Sequence, residues 1–227
     1  MSLNKVPRLV LIDLDGTMVD SVPDLAYCTD EMMKALGRPA WGEAKVRMWV
    51  GNGVERLVMR ALTNELWVDP DPAEFEKALP IYMELYANNT SGRSCLYEGV
   101  VEGLEYLKAS GIKLGCVTNK AAAFTVPLLK DMAIYDRFDL VVSGDTTAKK
   151  KPDPMPLLYA AEQLGVAAAD CLMVGDSMHD VQAARNAGFQ VVCVPYGYNH
   201  GQDILEAKPD DLVESLADLK GLFEKIA

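Results

Sequence analysis

Leu9-Val10-Leu11-Ile12-Asp13-Leu14-Asp15-Gly16-Thr17 decides how this chain reads. Four successive apolar residues predict a strand buried on both faces, and Asp13 and Asp15 follow at its carboxyl end with a glycine turn. In an open α/β sheet that end of a strand is where ligands bind. Two carboxylates so placed suit a nucleophile beside a general acid/base, or a site for a hard cation. Taken alone, Asp15-Gly16 is also an ordinary turn.

Outward from this segment, four further apolar runs read as strands: residues 112–118, 139–143, 170–175 and 190–194. Most are followed by helical patterns, which predicts a parallel sheet covered on both faces. About 100 residues separate the first strand from the second, too many for one crossover helix. Within that gap, residues 20–37, 54–67 and 72–89 show helical apolar spacing, broken at Pro39, Gly51-Asn52-Gly53 and Asp69-Pro70-Asp71-Pro72. The expected organisation is a core of residues 1–18 and 93–227 with a helical cap over 19–92. Several extra helices packed on the main sheet would be the alternative. Because the insertion leaves the chain just after Asp13, it emerges above the carboxyl end of the sheet, where a lid would sit.

The chain has 227 residues and a formal net charge of −11, with no long basic tract. This balance argues against nucleic acid or an anionic membrane as the main partner. No stretch approaches the roughly 18 apolar residues of a membrane span, and the amino terminus has no apolar signal core. Cys28, Cys95, Cys116, Cys171 and Cys193 form no CxxC pair, so buried, reduced thiols in a cytoplasmic protein are expected.

Three more clusters stand at predicted strand ends. Thr118-Asn119-Lys120 offers a hydroxyl, an amide and helix-start N–H groups suited to phosphate oxygens; Thr and Asn are equally favoured as helix caps. Lys149-Lys150-Lys151-Pro152 offers three cations, of which Lys151 has the most restricted backbone. Held inward, it would reduce repulsion between a carboxylate nucleophile and phosphate; most such runs are solvated. Gly175-Asp176-Ser177-Met178-His179-Asp180 adds two carboxylates, which as helix caps would favour the positive helix end. Their convergence would repel phosphate without a divalent cation, and oxygen-only ligands favour Mg²⁺ over zinc.

In this order the four clusters resemble the motifs of the haloacid dehalogenase-like superfamily of phosphohydrolases. The resemblance implies a Rossmann-like α/β sheet with spatial strand order 3-2-1-4-5 and an inserted helical cap. It further implies Asp13 as the nucleophile forming an aspartyl-phosphate, and Asp15 as the acid that becomes the base. Mg²⁺ would be held by Asp13, the backbone carbonyl of Asp15 and Asp176, with Asp180 in support. Thr118 and the backbone around Asn119 would hold the phosphoryl group, and Lys151 would neutralise charge.

Asp20-Ser21-Val22-Pro23, Val50-Gly51-Asn52-Gly53-Val54, Tyr97-Glu98-Gly99-Val100 and Tyr196-Gly197-Tyr198-Asn199 look like the phosphoglycolate phosphatase branch. The implied substrate is a small phosphate ester, 2-phosphoglycolate, acted on by a monomer or homodimer. Asn52 and Gly53 resemble a specificity loop, and Arg56 is a candidate for a substrate carboxylate, with Lys45 and Arg47 behind it. A solvated helical arginine is the plainer reading of Arg56. His179 is expected as a partly exposed helix-start residue and His200 as a surface-loop residue. A sugar phosphomutase, a phosphatase for another small ester, a phospho-acceptor signalling module and an inactive scaffold are the competing functions.

Overall fold

The computed structural model describes residues 3–226. β1 (Leu9–Ile12) lies at the centre of a parallel six-stranded sheet with β4 (Lys113–Val117), β5 (Leu140–Val142), β6 (Cys171–Gly175), β7 (Gln190–Cys193) and β8 (Asp211–Leu212). The spatial order is β5-β4-β1-β6-β7-β8. The order expected for the five longer strands holds, and the two-residue β8 extends the β7 edge. Leu9 pairs with Lys113 on one side and Cys171 on the other, so the ends of β1, β4 and β6 are level.

Side-chain alternation divides the sheet's faces. Val10 and Ile12 enter a cluster with α5 (Val100–Ala109), α6 (Ala122–Asp131) and α9 (Leu219–Glu224). Leu9 and Leu11 enter another with α7 (Met155–Gln163) and α8 (Met178–Ala187). Both faces are therefore dry, which explains why the strands read as continuous apolar runs rather than as alternation.

Between β1 and β4 lie α1 (Val22–Ala35), α2 (Glu43–Arg47), α3 (Val54–Thr63) and α4 (Pro72–Ala87). A third apolar cluster joins them through Leu25, Met32, Trp49, Leu57, Tyr82 and Tyr86, and Phe124 and Tyr198 enter it from the sheet-bearing part. β2 (Val19–Asp20) and β3 (Cys95–Leu96) pair antiparallel, tying the beginning of this segment to its end. Helix α3 is shorter than its apolar spacing suggests because Asn64 turns left-handed at φ 61°. Asp71 fixes the start of α4, its carboxylate accepting from Ala73 and Glu74 N–H.

All five cysteines are free. Four are buried as expected, but Cys95 is exposed because the two-residue β3 is covered on one side only. Among the described residues no helix is long and apolar enough to cross a membrane.

Candidate active site

Beyond β1 the chain turns sharply. Gly16 adopts φ 88°, and a Cβ there would collide with the Asp176 carboxylate, so this turn requires glycine. The turn sends Asp13 and Asp15 to different surroundings. Asp13 Oδ1 accepts from Leu14 N–H at 2.7 Å and lies 2.9 Å from Lys151 Nζ. Asp15 Oδ1 accepts from Ser21 Oγ at 2.5 Å and lies 2.9 Å from Lys120 Nζ. Thr17 Oγ1 donates to Asp176 Oδ1 at 2.6 Å.

Lys151 is buried while Lys149 and Lys150 are exposed. Its ammonium reaches the Val117 carbonyl at 2.8 Å, Asp13 at 2.9 Å and Asp180 at 2.7 Å, which occupies its three protons. Burial opposes its charge, but Asp13 and Asp180 outweigh burial and push its pKa up. Asp180 also accepts from Ser177 N–H and Oγ through Oδ2, at 3.1 and 2.7 Å. It thus anchors the first turn of α8 and pairs with Lys151 at once. Burial disfavours its ionised form, yet Lys151 and Ser177 hold its pKa below the ordinary carboxylate value.

Asp13 and Asp176 go the other way. Burial raises Asp13 to about 7 against the opposing pull of Lys151, with the neighbouring Asp180 and Asp15 adding to the rise. Burial, then Asp180 and Asp13, raise Asp176 well above the ordinary value. Oxygens of Asp13, Asp176 and Asp180 all lie within 4.8 Å of one another. Counting Asp15, four carboxylates face two ammonium groups, Lys151 and Lys120, so full ionisation of the set would leave two negative charges uncompensated. A divalent cation fits this oxygen-only, charge-deficient set, and the bonds already made by Asp180 suit it to supporting the set.

The loop after β4 supplies the next wall. Thr118 and Asn119 are not helix caps, because α6 starts later, behind Ala121. Thr118 faces the cavity, its Oγ1 accepting from Lys120 N–H at 3.2 Å. The Asn119 carboxamide clamps Lys151, accepting from its N–H at 2.9 Å and donating to its carbonyl at 3.0 Å. The same Nδ2 donates to the Gly51 carbonyl at 3.1 Å. Asn119 therefore joins the lysine loop to the glycine loop and also lines the cavity. Lys120, to which the sequence reading gave no role, is buried against Asp15, with Nζ 5.1 Å from the centre of the Tyr86 ring.

The cavity is small, about 40 Å³, and is lined by Asp13, Asp15, Thr118, Asn119 and Lys120. Leu25, Val50, Gly51, Gly53, Val54 and Leu57 close it from the other side. Gly53 has φ 86°, and a Cβ there would lie 3.5 Å from the Asn119 carbonyl, so the loop rests directly on the strand-end wall. Asn52 is turned away from the lining. Its Oδ1 accepts from Arg60 at 2.7 Å and its Nδ2 lies 3.0 Å from His179 Nε2. Arg56 is also absent from the lining, drawn to Asp69 at 2.5 Å. Arg47 pairs with Asp20 and Glu43, and Lys45 lies over Trp49.

His179 is buried rather than partly exposed, because the Asn52 loop covers it. His200 is in a turn, as expected, but its Nδ1 lies 2.9 Å from the Met48 carbonyl, so its ring is drawn inward.

This arrangement presents one carboxylate beside a buried ammonium, a second beside a hydroxyl and another ammonium, a cavity-facing hydroxyl and an acidic cluster with the charge to accept a cation. The family model for haloacid dehalogenase-like hydrolases matches residues 10–194. The chain is 56% identical over 223 residues to a phosphoglycolate phosphatase of Nitrosococcus oceani, covering 98% of this chain and 99% of that one. It is 51% identical to the Thiobacillus denitrificans protein of the same name, covering 93% of each chain. The crystal structure of a predicted phosphoglycolate phosphatase from Haemophilus somnus superposes with TM-score 0.90 at 34% identity, over 96% of this chain and 98% of that one. With the motif residues gathered at the carboxyl ends of the strands and the family model running from β1 through β7, the chain belongs to the haloacid dehalogenase-like hydrolases.

Proposed function

We propose that this chain is a Mg²⁺-dependent phosphatase that converts 2-phosphoglycolate to glycolate and phosphate. The observation that carries the chemistry is the division of the two carboxylates after β1, Asp13 to Lys151 and Asp15 to Ser21 and Lys120. The names of the relatives that share about half of its residues support the substrate. A cytoplasmic location accords with the free cysteines.

Asp13 Oδ1 is engaged by Lys151 and Leu14, which leaves Oδ2 to attack phosphorus. The new oxygen–phosphorus bond forms as the bond to the glycolate oxygen breaks, and Asp15 protonates the departing oxygen. Asp15 then takes a proton from water as that water attacks phosphorus, freeing phosphate and restoring Asp13. Both bonds to Asp15 fall on Oδ1, so Oδ2 serves the proton transfers. Thr118 and the Asn119 backbone hold phosphoryl oxygens, and Lys151 keeps the Asp13 wall from repelling them. Mg²⁺, held by Asp13, the Asp15 carbonyl and Asp176 with Asp180 in support, would supply charge neutralisation to the phosphoryl oxygens. Residues 19–92 act as a cap over the core formed by 1–18 and 93–227. Asn52 and Gly53 serve it through the loop fold that closes the cavity, while Arg56 remains outside the lining.

A panel of small phosphate esters, assayed with Mg²⁺ and with chelator, tests this reading. Mg²⁺-dependent phosphate release with preference for 2-phosphoglycolate is expected. Absence of Mg²⁺-dependent release from every ester would refute the phosphatase, and preference for another ester would refute the substrate. Isomerisation of a sugar phosphate without net release would identify a mutase.

A further inference from the structure

The phosphoryl end of a bound ester has many partners in this cavity, whereas the leaving group has very few. Lys151 is spent, its three protons going to Val117, Asp13 and Asp180, and it does not line the cavity. Among the described residues that line the cavity, Lys120 is the single cation. Its ammonium has one charged partner, Asp15 at 2.9 Å, and its remaining protons have no other charged group to meet.

Position assigns Lys120 to the leaving-group side. Its Nζ lies 5.1 Å from the ring centre of Tyr86 of α4, in the inserted segment, and it pairs with Asp15, whereas Asp13 pairs with Lys151. The apolar walls there are Leu25, Val54 and Leu57, with Gly51 and Gly53 admitting close approach of a ligand. An ammonium in such surroundings, 4% exposed at its side chain, is costly unless it is paired, and an anion placed beside it binds strongly. The backbone is fixed as well. Lys120 N–H donates to Thr118, and its carbonyl accepts from Gly144 N–H at 2.7 Å and Thr125 Oγ1 at 3.0 Å. The charge is therefore held in place before a ligand arrives.

We propose that Lys120 is the specificity-determining residue of the site, binding the carboxylate of a small anionic leaving group while it borders Asp15. This rests on the phosphatase reading above and deepens it: the enzyme would select phosphate esters that carry a second negative charge about one carbon from the ester oxygen. It also moves to Lys120 the role that the sequence suggests for Arg56.

The test compares 2-phosphoglycolate with 2-hydroxyethyl phosphate, in which CH₂OH replaces the carboxylate. The unaltered enzyme, Lys120→Gln and Lys120→Arg are each assayed on both esters with Mg²⁺. Both esters are measured on one preparation, so any loss of folded protein cancels in the ratio of their kcat/KM values. The unaltered enzyme should favour 2-phosphoglycolate. Lys120→Gln should shrink that preference roughly 10- to 100-fold, chiefly through KM, the loss expected for one charge-assisted hydrogen bond. Lys120→Arg should recover much of it. A preference unchanged in Lys120→Gln, with both esters slowed equally, would show that Lys120 serves Asp15 alone and would overturn the proposal while leaving the phosphatase intact. An unaltered enzyme that releases phosphate from neither ester would overturn the 2-phosphoglycolate reading together with it.

Discussion

Ser21 Oγ donates to Asp15 Oδ1 at 2.5 Å from the position that opens α1. A serine at that position ordinarily caps its own helix, yet this one makes no such bond. The hydroxyl is given over to Asp15, the proposed proton-transfer group, and the first turn of α1 begins with proline-containing sequence that needs one N–H fewer. Ser21→Ala should therefore lower kcat roughly tenfold while shifting stability by only about 1 kcal/mol. Steady-state kinetics alongside thermal melting separate the two effects. A large loss of stability with unchanged kcat would assign Ser21 to the fold.

Lys151 neutralises Asp13 and Asp180 together from a fully buried position. Lys151→Met should cut kcat about 100- to 1000-fold, the range for removing a preorganised charge from an active site. Loss of one partner of a buried ion pair also costs about 3–5 kcal/mol, reduced here by protonation of the abandoned carboxylates. Denaturant unfolding reads that cost. A variant as stable and as active as the parent would contradict the charge role given to Lys151.

The raised pKa values of Asp13 and Asp176 carry a pH signature. The folded state keeps protons that the unfolded chain has released, so stability falls as pH rises from the ordinary carboxylate range through the folded values. For Asp13 that window closes near 7. Burial lowers the pKa of His179 and His200, which act oppositely below the ordinary histidine value of 6.5. The clean interval thus begins above pH 6.5 and runs through the Asp13 value of about 7. In chelator, the melting temperature should fall across it, and Mg²⁺ should remove most of the fall by stabilising the ionised pair. Asp176→Asn should flatten the slope in chelator. A slope indifferent to both Mg²⁺ and Asp176→Asn would contradict the metal assignment.

Much of this site is legible in the sequence because the central strands β1 and β6 are dry on both faces and end in polar residues, as Ile12-Asp13 and Val174-Gly175-Asp176 do. The level ends of β1, β4 and β6 then bring distant clusters together. What the sequence hides is choice between similar residues. Arg56 and Arg60 lie one turn apart on α3, yet Arg60 is fully buried, donating to the Trp49 and Leu66 carbonyls and to Asn52. No local periodicity reveals those loop partners. Lys120 follows Thr118-Asn119 in plain view, but its contact with Asp15 spans chain segments that only the fold brings together. β8 is two residues long and carries no detectable pattern.

Asn52 is the partner of that buried guanidinium and of His179, across the junction between the inserted helices and α8. Asn52→Ala leaves Arg60 short of an acceptor and should cost about 1–3 kcal/mol. Because the Gly51–Gly53 loop roofs the cavity, KM should also rise, by roughly fivefold for each kcal/mol of lost loop order. Chemical denaturation and substrate titration check the two parts. Unchanged KM alongside reduced stability would separate the loop from substrate binding.

The central claim is that Asp13 takes the phosphoryl group. Its most direct test is acid quenching of the enzyme during turnover of 2-phosphoglycolate labelled with ³²P, followed by peptide mapping. The account predicts label on the peptide containing Asp13, and neither label nor turnover in Asp13→Asn. Label on another residue, or sustained phosphate release by Asp13→Asn, would contradict it.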